Sequence, residues 1–187
     1  MVAAEKLAVS DDLMKISSNG RYELIEGVIY EMSPTGEEHG FIAWKIMQKI
    51  GAFVEKNKLG IITSSETGYK LSSNPDTVRA PDAAFKSNKK LSECGGVVKD
   101  YSTIMPELVV EVNSPSDSYT KIAGKVKDWL KSGVKIVWVI EPSDKTVAVY
   151  DETGNVNVLN KNDYLDGGDI LAGFKCNVGE IFKIHDA

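Results

Sequence analysis

The stretch from residue 106 to residue 142 constrains the fold more than any other. PELVVEV (106–112) is a run of strand formers, DSYTKIAGKVKDWLKSG (117–133) repeats apolar residues at helical spacing, and VKIVWVIEP (134–142) reads as a strand again. Strand, helix and strand in so short a span make a right-handed βαβ crossover with parallel strands. A chain built around such a unit is an α/β protein, and its parallel strands are usually covered on both faces.

The rest of the chain supplies partners for that unit. RYELIEGVIYEM (21–32) alternates around Gly27 and predicts an N-terminal β-hairpin. SPTGEEHGFIAWKIMQKIGAFVEKNKLG (33–60) predicts a long helix, with Thr35 and Glu38 as a capping box and Gly60 after a basic last turn. His39, Ile42, Ile46, Ile50 and Phe53 form its apolar stripe. IITSS and TGYKLSS read as strands, SNPDT as a turn, and APDAAF (80–85) as a short strand opening with Pro81. Residues 86–105 keep no period and predict a loop with about one helical turn. TVAVYDE and NVNVLN predict a hairpin around Thr153-Gly154, followed by a β-rich tail. The expectation is one domain over 1–187, with an extension at 1–19 and a core from about 20 to 182. A mixed central β-sheet flanked by helices would form that core.

Glu111 is the residue that does not fit. It stands between two valines, near the carboxyl end of its strand, where open α/β sheets place their ligands. Alternation puts Leu108, Val110 and Val112 on one face and Val109, Glu111 and Asn113 on the other. An unpaired carboxylate buried there costs several kcal/mol, so a positive partner is expected. Asp82, in RAPDAAF, is a second carboxylate that could lie beside it, although Pro-Asp alone is a common turn signal. Two carboxylates on neighbouring strands repel, and Mg²⁺ or Mn²⁺ relieves that repulsion. Mg²⁺ takes one or two carboxylates plus water and phosphate oxygens, with the Val112 backbone carbonyl as a further candidate ligand. Lys125 and Lys127 flank the buried face of the following helix (Tyr119, Ile122, Val126, Trp129, Leu130) on opposite sides, and periodicity does not choose between them. His39 continues the inward stripe at the amino end of the first helix, while Glu23 and Glu26 are read as surface residues.

Composition excludes several classes. The formal charge of −5 argues against a protein that coats nucleic acid generally, though not against a local basic groove. No run approaches the roughly 18 apolar residues of a membrane span, and the N-terminus lacks the pattern of a signal peptide. Cys94 and Cys176 lie far apart without CxxC spacing, as expected of a reduced, cytoplasmic protein.

With these residues in place the chain resembles the PD-(D/E)xK superfamily, the restriction-endonuclease-like fold. More narrowly, it resembles a large bacterial family of restriction endonucleases formerly described as a domain of unknown function. The resemblance rests on YELIEG (22–27), SPTGEEH (33–39), RAPDAAF (79–85), PELVVEVNSPS (106–116), KVKDWLKSGVKIVWVIEP (125–142) and AVYD (148–151), in family order. It implies a metal-dependent phosphodiesterase in which Asp82 and Glu111 hold Mg²⁺ or Mn²⁺. Asn113 stands where the superfamily pattern has a lysine and cannot supply its charge. The match to KVKDWLKSGV moves that role to Lys125, as orienter or base for the attacking water or as charge stabiliser. His39 would correspond to the residue that many superfamily members draw from the first helix.

Two functions of different class follow as expectations. One is an endonuclease acting on nucleic acid, DNA first, as a homodimer, with Lys121, Lys127, Lys86, Lys89 and Lys90 contacting phosphates. The other is a non-catalytic binding or assembly module on the same fold. A carboxylate-pair glycosidase is a weaker third reading.

Overall fold

A computed structural model describes residues 7–115 and 117–184; the first six residues of the expected extension lie outside the described residues, as do Ser116 and the last three residues. The βαβ unit is where the sequence places it. Strand β7 (Leu108–Val112), helix α4 (Tyr119–Lys131) and strand β8 (Ile136–Glu141) follow one another, and β7 pairs with β8 in parallel, Glu111 opposite Val139. Around them lie β3 (Gly60–Ser64), β6 (Ala83–Ser87), β9 (Thr146–Asp151) and β10 (Val156–Leu159), giving a six-stranded mixed sheet in the order β10-β9-β8-β7-β6-β3. All its other pairings are antiparallel.

The two faces of β7 are buried under different helices. Leu108, Val110 and Val112 meet Ile42, Ile46, Ile50 and Val54 of α2 (Glu37–Asn57). Val109 packs with Val126 and Trp129 of α4. This double cover makes β7 wholly buried, Glu111 included. Two details of the helices differ from the sequence reading. Gly36 is the N-cap of α2 with no side-chain bond, so Thr35 lies outside the helix and no capping box forms with Glu38. The stripe ends on buried Val54 rather than half-buried Phe53, because i+4 follows the face more closely than i+3 over this last turn. Tyr119, expected in the buried face of α4, opens that helix and is 83% exposed.

The hairpin of β1 (Arg21–Ile25) and β2 (Val28–Met32) turns on Glu26 and Gly27, both at positive φ, as a two-residue hairpin loop requires. It belongs to a second, antiparallel sheet, β2-β1-β5-β4, with β4 (Tyr69–Ser72) and β5 (Thr77–Arg79). The sequence reading merged β5 into a turn because only three residues separate SNPD from APD. Helix α1 (Ser10–Ile16) packs Leu13 against Leu24 and Val78 of this sheet. Helix α3 (Asn88–Glu93) supplies the short helical segment expected between β6 and β7. The tail adds β11 (Tyr164–Asp166) and β12 (Lys175–Asn177), whose Leu165 and Cys176 join the α2 core.

Candidate active site

Strands β6 and β7 pair antiparallel with Ala83 opposite Val110, and Asp82 N–H donates to the Val110 carbonyl at 3.1 Å. The pleat therefore carries Asp82, one residue ahead of β6, to the level of Glu111. Pro81 and Asp82 precede the strand rather than opening it. The Asp82 carboxylate is held by Val112 N–H, which donates to Oδ2 at 2.8 Å, and its Oδ2 lies 3.4 Å from His39 Nε2.

Glu111 is 4% exposed and has two partners on α4. Lys125 Nζ donates to Oε2 at 2.8 Å and Trp129 Nε1 donates to Oε1 at 2.8 Å. The two donors stand four residues apart, on one helical face. Burial pushes the Glu111 carboxyl above the usual carboxylate range, against the pull of Lys125 and with a further push from Asp82. Burial disfavours the Lys125 ammonium too, but the charges of Glu111, Glu23 and Asp82 outweigh it and raise its pKa well above the ordinary lysine value. Of the two lysines that periodicity left open, Lys125 faces Glu111, whereas Lys127 is exposed on the other side of the helix.

Glu23 is not a surface residue. It is 4% exposed, accepts from Arg79 Nη1 at 2.9 Å and from Ala80 N–H at 3.3 Å, and its charge reaches both Lys125 and Glu111. Arg79 in turn donates to Asp128 Oδ2 from Nε at 2.9 Å and Nη2 at 2.7 Å. The signal was in the sequence: Arg79 interrupts the apolar run TVRAPDAAF as Glu111 interrupts its valines, and two such oddities of opposite sign call for partners.

His39 is half-buried and faces Asp82. A hydrogen bond to Asp82, with its charge, pushes the imidazole above its ordinary 6.5 in spite of the opposing effect of burial, and the backbone of Val112 adds to the rise. Asn113 turns away and donates from Nδ2 to Glu141 Oε2 at 2.9 Å. The lysines expected to contact phosphates divide. Lys89 and Lys127 are exposed, and Lys121 is paired with Asp117 at 2.7 Å. Lys90 donates to the Met105 carbonyl at 2.8 Å. Lys86 is a correction: it is 5% exposed and donates inward to Ser102 Oγ at 2.7 Å, because it points to the α4 side of a covered sheet.

The sequence matches the family Uma2, described as "Putative restriction endonuclease", over residues 10–179. No curated protein matches the chain. Among solved structures it is similar to the crystal structure of "a putative nuclease belonging to DUF820" from Anabaena variabilis ATCC 29413, with a TM-score of 0.80 and 21% identity, over 93% of this chain and 97% of that one. At that identity the likeness speaks for the fold.

Proposed function

This chain belongs to the Uma2 family, and on that premise we propose that it is a metal-dependent nuclease that hydrolyses phosphodiester bonds of nucleic acid, DNA in the first instance. The observation that carries the reading is the meeting of Asp82 and Glu111 across two hydrogen-bonded strands, with the Lys125 ammonium 2.8 Å from Glu111. Carboxylate and carbonyl oxygens are the hard donors Mg²⁺ and Mn²⁺ take, and one or two carboxylates suffice for Mg²⁺. Among the described residues the hydrogen bonds to Asp82 end on Oδ2, which leaves Oδ1 for a cation shared with Glu111 and the Val112 carbonyl.

When bound, the cation supplies Lewis acidity at the phosphoryl oxygen and makes hydroxide available near neutral pH. Lys125 Nζ, 2.8 Å from Glu111 Oε2, would provide positive charge where phosphoryl charge develops. His39 and Val112 N–H hold the Asp82 carboxylate in place. Trp129 does the same for Glu111. Calorimetric titration with Mn²⁺ tests the reading: wild type binds, Asp82→Asn and Glu111→Gln lose binding, and Mg²⁺-dependent cleavage disappears with it. Unchanged Mn²⁺ affinity in both variants would defeat it.

A non-catalytic assembly module is the second reading. It is favoured by the fact that both Glu111 oxygens already have protein partners, and that among the described residues no three His, Cys, Asp or Glu side chains gather at a metal-sized site. The same titration decides between the two. A homodimer is the assembly we propose, with β10 at the open edge of the sheet, where Val156 and Val158 are exposed, as its contact surface. Val158→Asp should then shift the sedimentation coefficient to that of a monomer.

A further inference from the structure

Two cavities adjoin at the candidate site. The smaller, about 150 Å³, is lined by His39, Asp82 and the half-exposed ring of Trp44. The larger, about 420 Å³, lies under α1 and is lined by Leu13, Tyr22, Tyr101 and Glu23. Arg21 is in the wall of both. Ala80 lines the larger cavity and Asp82 the smaller, so at most about 7 Å of chain separates them. The larger one falls within the roughly 300–1,000 Å³ of small-molecule sites.

We infer that the larger cavity seats an unpaired nucleobase next to the phosphate that a cation at Asp82 and Glu111 would hold, so that the substrate is a single strand or a locally unpaired one; this rests on the nuclease reading above. Three features support that occupant. Its walls offer flat aromatic and aliphatic surface, and the Tyr101 ring is set by close approach to Gly68, where a Cβ would meet ring carbon Cδ1 at 2.4 Å. A base inside a duplex keeps its faces stacked on its neighbours and cannot use such a wall; an unpaired one can. Among the described residues Arg21 is tied only to the exposed Glu66, at 3.3 Å, and can exchange that partner for a backbone phosphate beside the base. The third feature is charge. The formal charge is −5, and three of the five lysines expected at phosphates are engaged within the protein, Lys86 buried on Ser102, Lys90 on Met105 and Lys121 on Asp117. This leaves exposed Lys89 and Lys127, with Lys99 in the cavity wall, as a sparse grip on duplex phosphates. Stacking, which depends little on charge, fits this surface better.

Fluorescence anisotropy with the full-length chain, Ca²⁺ in place of Mg²⁺, and a labelled twelve-nucleotide strand at low salt tests the inference. The strand should bind at least about fivefold tighter than the same sequence as a duplex, the scale of one stacked base. A duplex with a single unpaired nucleotide should recover the affinity. Arg21→Ala, Tyr101→Ala and an abasic nucleotide in the strand should each remove most of the preference, and the abasic strand does so without altering the protein. A duplex that binds as well as the strand overturns the inference and leaves the nuclease reading standing. A preference that survives all three changes also overturns it. Binding of neither form overturns the inference together with the nuclease reading on which it rests.

Discussion

Lys125 Nζ donates to Glu111 Oε2 at 2.8 Å from a helix that covers the glutamate's strand, and the two side chains are only 15% and 5% exposed. Removing one partner of a buried ion pair leaves the other uncompensated, at about 3–5 kcal/mol. Lys125→Met should therefore abolish hydrolysis and lower stability by about 3 kcal/mol, and Glu111→Gln in the same chain should restore part of that loss. Exposed Lys127→Met should stay within about 0.5 kcal/mol and keep its activity. Urea unfolding of wild type, Lys125→Met, Glu111→Gln and the double variant forms the cycle. Strictly additive losses would mean that the pair is not coupled.

Arg79 offers a second test of buried charge. Its guanidinium serves Glu23 and Asp128 together, with side-chain exposures of 5% and 32% for the two carboxylates. Arg79→Met should cost about 3 kcal/mol or more because it strands buried Glu23, whereas Asp128→Asn should cost only about 1 kcal/mol. Thermal unfolding in both variants measures the difference. Equal losses would show that Glu23 draws no stability from this contact.

His39 reports on Asp82 directly. Its pKa lies above 6.5 because Asp82 favours the imidazolium, so this contact contributes stability that is fully present below about pH 6.5 and is lost as pH rises through the raised value. The chain has two histidines, which makes an NMR titration simple to assign. Asp82→Asn should move the His39 pKa downward. A pKa that does not move would mean that the two side chains do not meet in solution.

Much of this arrangement was legible in the sequence, for identifiable reasons. Apolar period fixes helices and strands, so the βαβ unit, both hairpins and the long α2 stripe stood out, and with them the neighbourhood of Asp82 and Glu111. What period cannot give is the partner of a polar residue across space. Glu23 looked like a surface acid because its alternation set it opposite Leu24, yet β1 is covered on that side too, by Arg79 from β5. Lys86 looked like a surface base because it opens a lysine-rich segment, yet its own strand lies inside the sheet between β3 and β7. Three-residue β5 was too short to carry any period.

Asp76 ties the N-terminal helix to the second sheet, and its pH dependence can be read from its contacts. Its Oδ2 accepts from Ser10 N–H at 2.8 Å and from Lys70 Nζ at 2.7 Å, while Lys70 also reaches Ser10 Oγ at 3.0 Å. Burial raises its pKa, but the bonds from Lys70 and Ser10 prevail and hold the carboxyl below 3.8. A depressed carboxyl contributes stability above its ordinary value and loses it as pH falls through the folded one. Asp76→Asn keeps the shape and removes the charge, so it should cost about 1–3 kcal/mol at neutral pH, and the gap to wild type should close below about pH 3.8. Amide exchange should quicken through residues 10–16, because Ser10 N–H loses its charged acceptor at the first turn of α1. That helix forms one wall of the larger cavity through Leu13, so the variant should also weaken single-strand binding more than duplex binding. Exchange in α1 that stays at the wild-type rate would mean that the helix is held by Leu13 packing alone.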